Sequence, residues 1–143
     1  MENCLHVEDS VAMGTKLGKF VKKPDLKQIF MFSAITWNRH AIHYSRERAI
    51  SEGLPDVVVQ RALIGNFLAQ FLDQWIKDVG DVQRLEWKVV RSAIPGDTLT
   101  CTGVVKKEII ENNNKLIECD IEMVNQRAET IAKGVGTVRF YTR

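Results

Sequence analysis

Arg61-Ala62-Leu63-Ile64-Gly65-Asn66-Phe67-Leu68-Ala69-Gln70-Phe71-Leu72-Asp73-Gln74-Trp75-Ile76 is the stretch that decides the fold. Leu63, Ile64, Phe67, Leu68, Phe71, Leu72, Trp75 and Ile76 recur at helical spacing and form an apolar band wider than a surface helix needs. The spacing predicts a largely buried helix over 61–76, with 77–81 ending it at Gly80. Asn66, Gln70, Asp73 and Gln74 interrupt the band, so it is no membrane span. Downstream the period changes. Leu85, Trp87 and Val89 alternate with Arg84, Glu86 and Lys88, the mark of a half-buried strand. Ile94-Pro95-Gly96-Asp97 reads as a turn, 99–111 as a long strand, Asn112-Asn113-Asn114 as a hairpin turn and 115–125 as its partner. Within that partner Ile117, Cys119, Ile121 and Met123 make the buried face. A last strand covers 130–141, where Gly134 and Gly136 leave room for a bulky neighbour such as the buried helix.

Upstream, 1–15 reads as an irregular lead-in and 16–21 as a short edge strand. Pro24 suits the first position of a helix over 24–36, whose apolar side is Leu26, Ile29, Phe30, Ser33 and Ala34. Residues 37–44 follow as a loop. Ser45 can cap a second short helix over 46–52, stopped by Gly53. Val57-Val58-Val59 is a short β-branched segment after the Leu54-Pro55-Asp56 turn. Helices first and antiparallel strands after give an α+β domain spanning 1–143, one sheet face covered by one long helix. Its open edge and partly bare face call for a dimer.

The composition narrows the functional classes. A net charge of +2, from 20 basic and 18 acidic residues dispersed along the chain, leaves no nucleic-acid footprint. Cys4, Cys101 and Cys119 form no CxxC pair and point to a reducing compartment. Residues 1–20 hold no apolar run, so no signal peptide is expected, and a soluble cytoplasmic protein without membrane contact is.

Asn38, His40 and His43 fall within six positions, flanked by Trp37 and Tyr44. His43 can act as a general acid or base near neutral pH, or can hold the loop through backbone bonds. His40 reads as a loop-stabilising or exposed ring. Asn38 can aim a water but cannot take up its proton, and is also a common turn residue. His40, His43 and Glu47 would share one face of a continuous helix, but the Ser45 cap breaks that face, so no metal is expected. At 59–62 an extended segment enters the long helix, whose free N–H groups could hold an oxyanion or could simply start a core helix. Asn66, one turn in, reads as buried and therefore hydrogen-bonded, lining a pocket or serving structure. Arg61 could meet a phosphate, whereas Arg46 and Arg48 read as solvated charges.

These residues resemble the MaoC-like hydratase/dehydratase family of the hot-dog fold, over most of 15–140. The resemblance rests on Asn38-Arg39-His40-Ala41-Ile42-His43, on the helix entry Val58-Val59-Gln60-Arg61-Ala62-Leu63, and on the turn Ile94-Pro95-Gly96-Asp97-Thr98-Leu99. Trp37 to Tyr44 is most similar to the type 2 hydroxyacyl-thioester dehydratase and mesaconyl-CoA hydratase branch. The resemblance implies an antiparallel sheet wrapped around one central helix and reversible hydration of a 2-enoyl thioester. The substrate would be an acyl-CoA or acyl-carrier thioester, with no cofactor beyond the substrate's own coenzyme A. It implies that His43 is the catalytic histidine, that Asn38 stands where most members have Asp, and that N–H groups at Arg61 and Ala62 hold the thioester oxygen. Asn66, with Trp37 and Tyr44, would contact substrate. Arg61 stands where the family has Gly and places a long cation at the pocket mouth, and Gln60 stands where His is usual. The site would lie at a dimer interface, in a homodimer or higher homo-oligomer or in a heteromer with another MaoC-like chain. The departures at Asn38 and Arg61 make a non-catalytic thioester-binding subunit an alternative. A hot-dog thioesterase ranks third, because Asp73 is the helix's only acid and lies far from its N-terminus.

Overall fold

The computed structural model describes residues 11–141. Cys4 and the first ten residues of the expected lead-in lie outside them; residues 11–15 are irregular. Strand β1 (Lys16–Lys22) leads to helix α1 (Leu26–Thr36), a 3-10 turn (Ala41–His43), helix α2 (Arg46–Ser51) and helix α3 (Arg61–Ile76). Strands β2 (Gly80–Val89), β3 (Leu99–Glu111), β4 (Asn114–Val124) and β5 (Thr130–Phe140) follow. They form one antiparallel sheet in the order β1-β3-β4-β5-β2, with β1 and β2 at its edges. The inner face wraps α3, which is the hot-dog arrangement.

The apolar band of α3 forms the core as its spacing predicts. Leu63, Ile64, Phe67, Leu68, Phe71, Leu72 and Ile76 are buried against Cys101, Val105, Ile117, Cys119, Ile121 and Met123. Two glycines set how closely helix and sheet approach. A Cβ at Gly136 would overlap Leu72, and a Cβ at Gly65 would overlap the Trp87 indole. Gly134 faces Trp87 and Ile121 rather than the helix. Burial pushes the thiols of Cys101 and Cys119 up to about 12, so neither is a nucleophile near neutral pH. No helix among the described residues is long and apolar enough to cross a membrane.

Two boundaries differ from the sequence reading. Pro24 precedes α1 rather than starting it: Asp25 is the cap, its Oδ1 accepting from the Gln28 N–H at 2.8 Å. The end of α3 is Lys77 with φ 49°, not Gly80. Gly80 instead opens β2, where the Arg139 carbonyl and the Ile76 side chain leave no space for a Cβ. The short segment Val57-Val58-Val59 is buried outside the sheet. Elsewhere the reading holds. Asn112 and Asn113 take positive φ at the β3–β4 turn, and Ser45 Oγ caps α2 by accepting from Arg48 N at 3.2 Å.

The turn at 94–97 joins sheet to helices. Asp97 is buried, accepts from Ile94 N at 3.0 Å and from Gln126 Nε2 at 2.8 Å, and the neighbouring Gly96 N–H donates to Pro24 O at 3.0 Å.

Candidate active site

The loop after α1 is a stack of local bonds. Trp37 closes α1 with φ 55°, and Asn38 N donates back to Ser33 O at 2.9 Å. Asn38 Oδ1 then accepts from His40 N at 3.2 Å, an Asx turn that leaves the carboxamide nitrogen and one oxygen lone pair uncommitted by that bond. His43 N donates to His40 O at 3.2 Å, and Tyr44 Oη donates to Arg39 O at 2.7 Å. Trp37 is 74% exposed and Tyr44 is 43% exposed.

His43 is buried, with 8% of its surface exposed. Its Nδ1 lies 2.7 Å from the Val58 carbonyl oxygen. A carbonyl only accepts, so Nδ1 must carry the hydrogen, and the neutral ring then holds its lone pair on Nε2. Burial lowers the His43 pKa from its ordinary value; the Val58 bond partly opposes this and the neighbouring His40 adds to it. At neutral pH the group is therefore an unprotonated base with a fixed tautomer.

Val58 also leads into α3. Its N–H donates to Ile42 O at 3.1 Å, and Val59 N donates to Ala93 O at 2.8 Å. Gln60, the N-cap residue, provides no side-chain cap, and the first turn of α3 holds no acid. The leading N–H groups at Arg61 and Ala62 thus lack an intrahelical acceptor and concentrate the positive end of the helix dipole. The Gln60 side chain turns instead into the protein, donating from Nε2 to Ile29 O at 2.7 Å and Ser33 Oγ at 2.8 Å. Its Oε1 is buried without a protein partner. His43 and the open end of α3 are therefore held by one short segment, 58–60.

Arg61 does not reach freely into this space. Its guanidinium lies 4.5 Å from the Trp87 ring centroid, Nη2 donates to Trp87 O at 3.0 Å, and Trp87 Nε1 donates to Arg61 O at 3.1 Å. The cation expected at the pocket mouth is thus folded onto β2. Asn66 is exposed, not buried, and donates from Nδ2 to Ala62 O at 3.0 Å along its own helix. Ala62, Asn66, Gln70 and Asp73 recur at i, i+4, i+8 and i+11 and share one exposed stripe of α3. That spacing was the signal that one side of the helix faces away from the sheet.

His40, His43 and Glu47 do not share a helical face, because the 3-10 turn ends before the Ser45 cap. Among the described residues no group of three or more His, Cys, Asp or Glu side chains comes together as metal ligands. His40 instead places Nε2 3.6 Å from Glu52 Oε2, while Glu52 Oε1 accepts from Arg48 Nε at 2.8 Å. Neither Glu52 nor the Gln60 clamp was visible in the sequence as part of this region. The i, i+4 spacing of Arg48 and Glu52 was the only trace of the former.

Two shallow hollows flank α1. One of about 480 Å³ is lined by Leu26, Lys27, Phe30 and Tyr44. Another of about 530 Å³ includes Met31, Phe32, Ile35 and Leu63. A larger hollow of about 830 Å³ lies on the outer face of the sheet, around Thr102, Val104, Glu122 and Val135, and is lined by none of the candidate site residues.

Solved structures share this architecture at low sequence identity. The ChsH1-ChsH2 complex from Mycobacterium tuberculosis superposes with a TM-score of 0.81 at 15% identity, covering 92% of this chain and 100% of that one. The (R)-hydratase from A. caviae involved in PHA biosynthesis gives 0.79 at 15% identity, covering 92% and 98%. The C-terminally truncated HadBC complex, a 3R-hydroxyacyl-ACP dehydratase from Mycobacterium tuberculosis, gives 0.77 at 13% identity, covering 89% and 96%. No curated protein matches the sequence. The sequence profile of hydroxyacyl-thioester dehydratase type 2 matches residues 12–95, which span α1, the histidine loop, α3 and β2. The chain belongs to that family.

Proposed function

We propose that the protein hydrates 2-enoyl thioesters, and dehydrates 3-hydroxyacyl thioesters in reverse, with His43 as the acid/base. The observation that carries this reading is the His43 Nδ1–Val58 O bond. It leaves the Nε2 lone pair for chemistry and ties the ring to the segment that delivers the open N-terminus of α3. In hydration, water adds to C3 of the enoyl group and gives its proton to His43 Nε2. Electron density moves onto the thioester oxygen, where N–H groups of Arg61 and Ala62 hold the enolate. The His43 imidazolium then returns the proton to C2, and the enolate collapses to the 3-hydroxyacyl thioester. Asn38 orients the water through the hydrogen-bonding capacity that the Asx turn leaves over. One base shuttling one proton balances the reaction without metal or redox cofactor, coenzyme A being part of the substrate. Asn66 on the exposed stripe, with Trp37 and Tyr44 beside the loop, would meet the thioester or its carrier at the surface.

The exposed stripe of α3 and the edge strand β2 suit a second hot-dog chain, either a homodimer partner or a different MaoC-like subunit. A non-catalytic role in such a heteromer is the second reading. It is favoured by Asn38, which cannot serve as a second proton-transfer group. A thioesterase is not favoured, since Asp73 stands on the exposed stripe toward the far end of α3 from His43.

The purified chain should consume a panel of enoyl-CoA substrates, followed by loss of the enoyl ultraviolet absorbance. His43→Ala should lower kcat/KM by about 10²- to 10⁴-fold. Undiminished activity in that variant removes His43 from the mechanism. A chain that is inactive alone but required by a competent partner supports the second reading.

A further inference from the structure

His40 is exposed and, for the chemistry above, unnecessary, yet it is held. It forms the N-cap position of the 3-10 turn that carries His43, its ring stands edge-on to the His43 ring with centroids 5.9 Å apart and planes at 87°, and its Nε2 lies 3.6 Å from Glu52 Oε2. Glu52 is fixed in turn by Arg48, so its two carboxylate oxygens divide between a guanidinium and an imidazole. Glu52 thus supplies the counter-anion for a protonated His40. Asp56, on the loop before Val58, faces Arg46 at 3.7 Å. The polar partner of His43 outside its own turn is a neutral carbonyl.

We propose that His40, held by Glu52, is a positioning residue: when protonated it stands as a cation beside the His43 ring and opposes a proton on Nε2. Two positive imidazoles about 6 Å apart repel each other even where water screens them, so a proton reaches His43 only at lower pH than it would beside a neutral neighbour. His40 touches no reacting atom in this scheme and acts through His43. The inference rests on the reading of His43 as the base for its catalytic meaning only; the charge coupling itself is open to measurement without turnover.

The chain has three histidines, so an NMR titration of imidazole Cε1–H resonances resolves each ring. The His43 midpoint is compared in the unaltered protein, His40→Gln, His40→Phe and His40→Arg. The uncharged variants should both raise it by about half a unit to one unit, the range for unit charges about 6 Å apart in a largely aqueous setting. His40→Arg, which keeps a cation, should leave it in place. A midpoint within about 0.2 unit of the unaltered protein in either uncharged variant overturns the proposal, as does a rise in His40→Arg equal to that in His40→Gln. If the protein is active, the acid limb of kcat/KM should move by the same amount in His40→Gln. An inactive protein whose His43 midpoint still moves refutes the proposed reaction and leaves the coupling standing.

Discussion

The phenylalanines at 67 and 30 mark two regions built on different principles. Phe67 is 1% exposed, inside the closed contact between α3 and the sheet. Phe30 is 56% exposed on α1, where Leu26, Met31 and Ile35 also face outward, as does Trp37 just beyond the helix. The α3–sheet region is held by interlocking apolar shape. The α1–α2 region buries Ile29 and Ala49 but depends besides on a few specific hydrogen bonds: the Asp25 and Ser45 caps, the Gln60 clamp and the His43–Val58 bond. Burial contributes free energy in proportion to area, whereas single hydrogen bonds contribute orientation and only about 1 kcal/mol net. Stability therefore resides mainly in the first region and the arrangement of the candidate site in the second.

The largest effect is expected at Phe67. Phe67→Ala should destabilise the protein by about 3–5 kcal/mol in urea unfolding, because the core around α3 cannot close over the space left. A loss below about 1 kcal/mol would show that α3 is not the keystone of the core. Next is the Gln60 clamp. Gln60→Ala leaves Ile29 O and Ser33 Oγ without their buried donor and should cost about 1–3 kcal/mol. Hydrogen exchange should quicken along α1 and leave α3 unchanged; equal quickening in both helices would dissolve the distinction between the regions. A smaller effect comes from pH. The His43 pKa is lowered in the folded state, so between that value and the unfolded value near 6.5 the unfolded chain binds more protons. Stability from this group is complete above about pH 6.5 and declines as pH falls through the window. His43→Gln should flatten that part of the stability profile, and an unchanged slope would assign it to other groups. Least affected should be Phe30→Ala, within about 0.5 kcal/mol of the unaltered protein.

The two regions also differ in how far they could be read from the chain. Apolar periodicity determined α3, the alternation in β2 and the inward face of β4, since a repeating pattern averages over many residues and tolerates local exceptions. The glycine in β5 nearest α3 was legible for the same reason: a position without a side chain opposite a bulky helix has one plain explanation. In the α1–α2 region single contacts decide, and they join residues far apart in sequence. Nothing about Gln60 announces a bond to Ile29 and Ser33, and nothing about Arg61 announces that its guanidinium lies on Trp87 rather than over the site. The error at Asn66 has a different origin. A wide apolar band makes its neighbours look buried as well, although Ala62, Asn66, Gln70 and Asp73 at helical spacing mark an open side. His43 stood out because a histidine among aromatics is conspicuous, but its tautomer depended on a carbonyl fifteen residues away.

The meeting of Gly65, Trp87 and Arg61 has a consequence for how the sequence can change. The indole occupies the space a side chain at 65 would need, supports the guanidinium on its face and donates to the backbone at the helix start. These positions are not free to vary independently. A lineage that gains a side chain at 65 must first shrink residue 87, and in doing so it loses the shelf beneath Arg61. The guanidinium would then lose both the ring face and the packing that fix it beside the helix start. The packing of a helix against a strand thus couples what position 65 can become to where a cation at position 61 can rest.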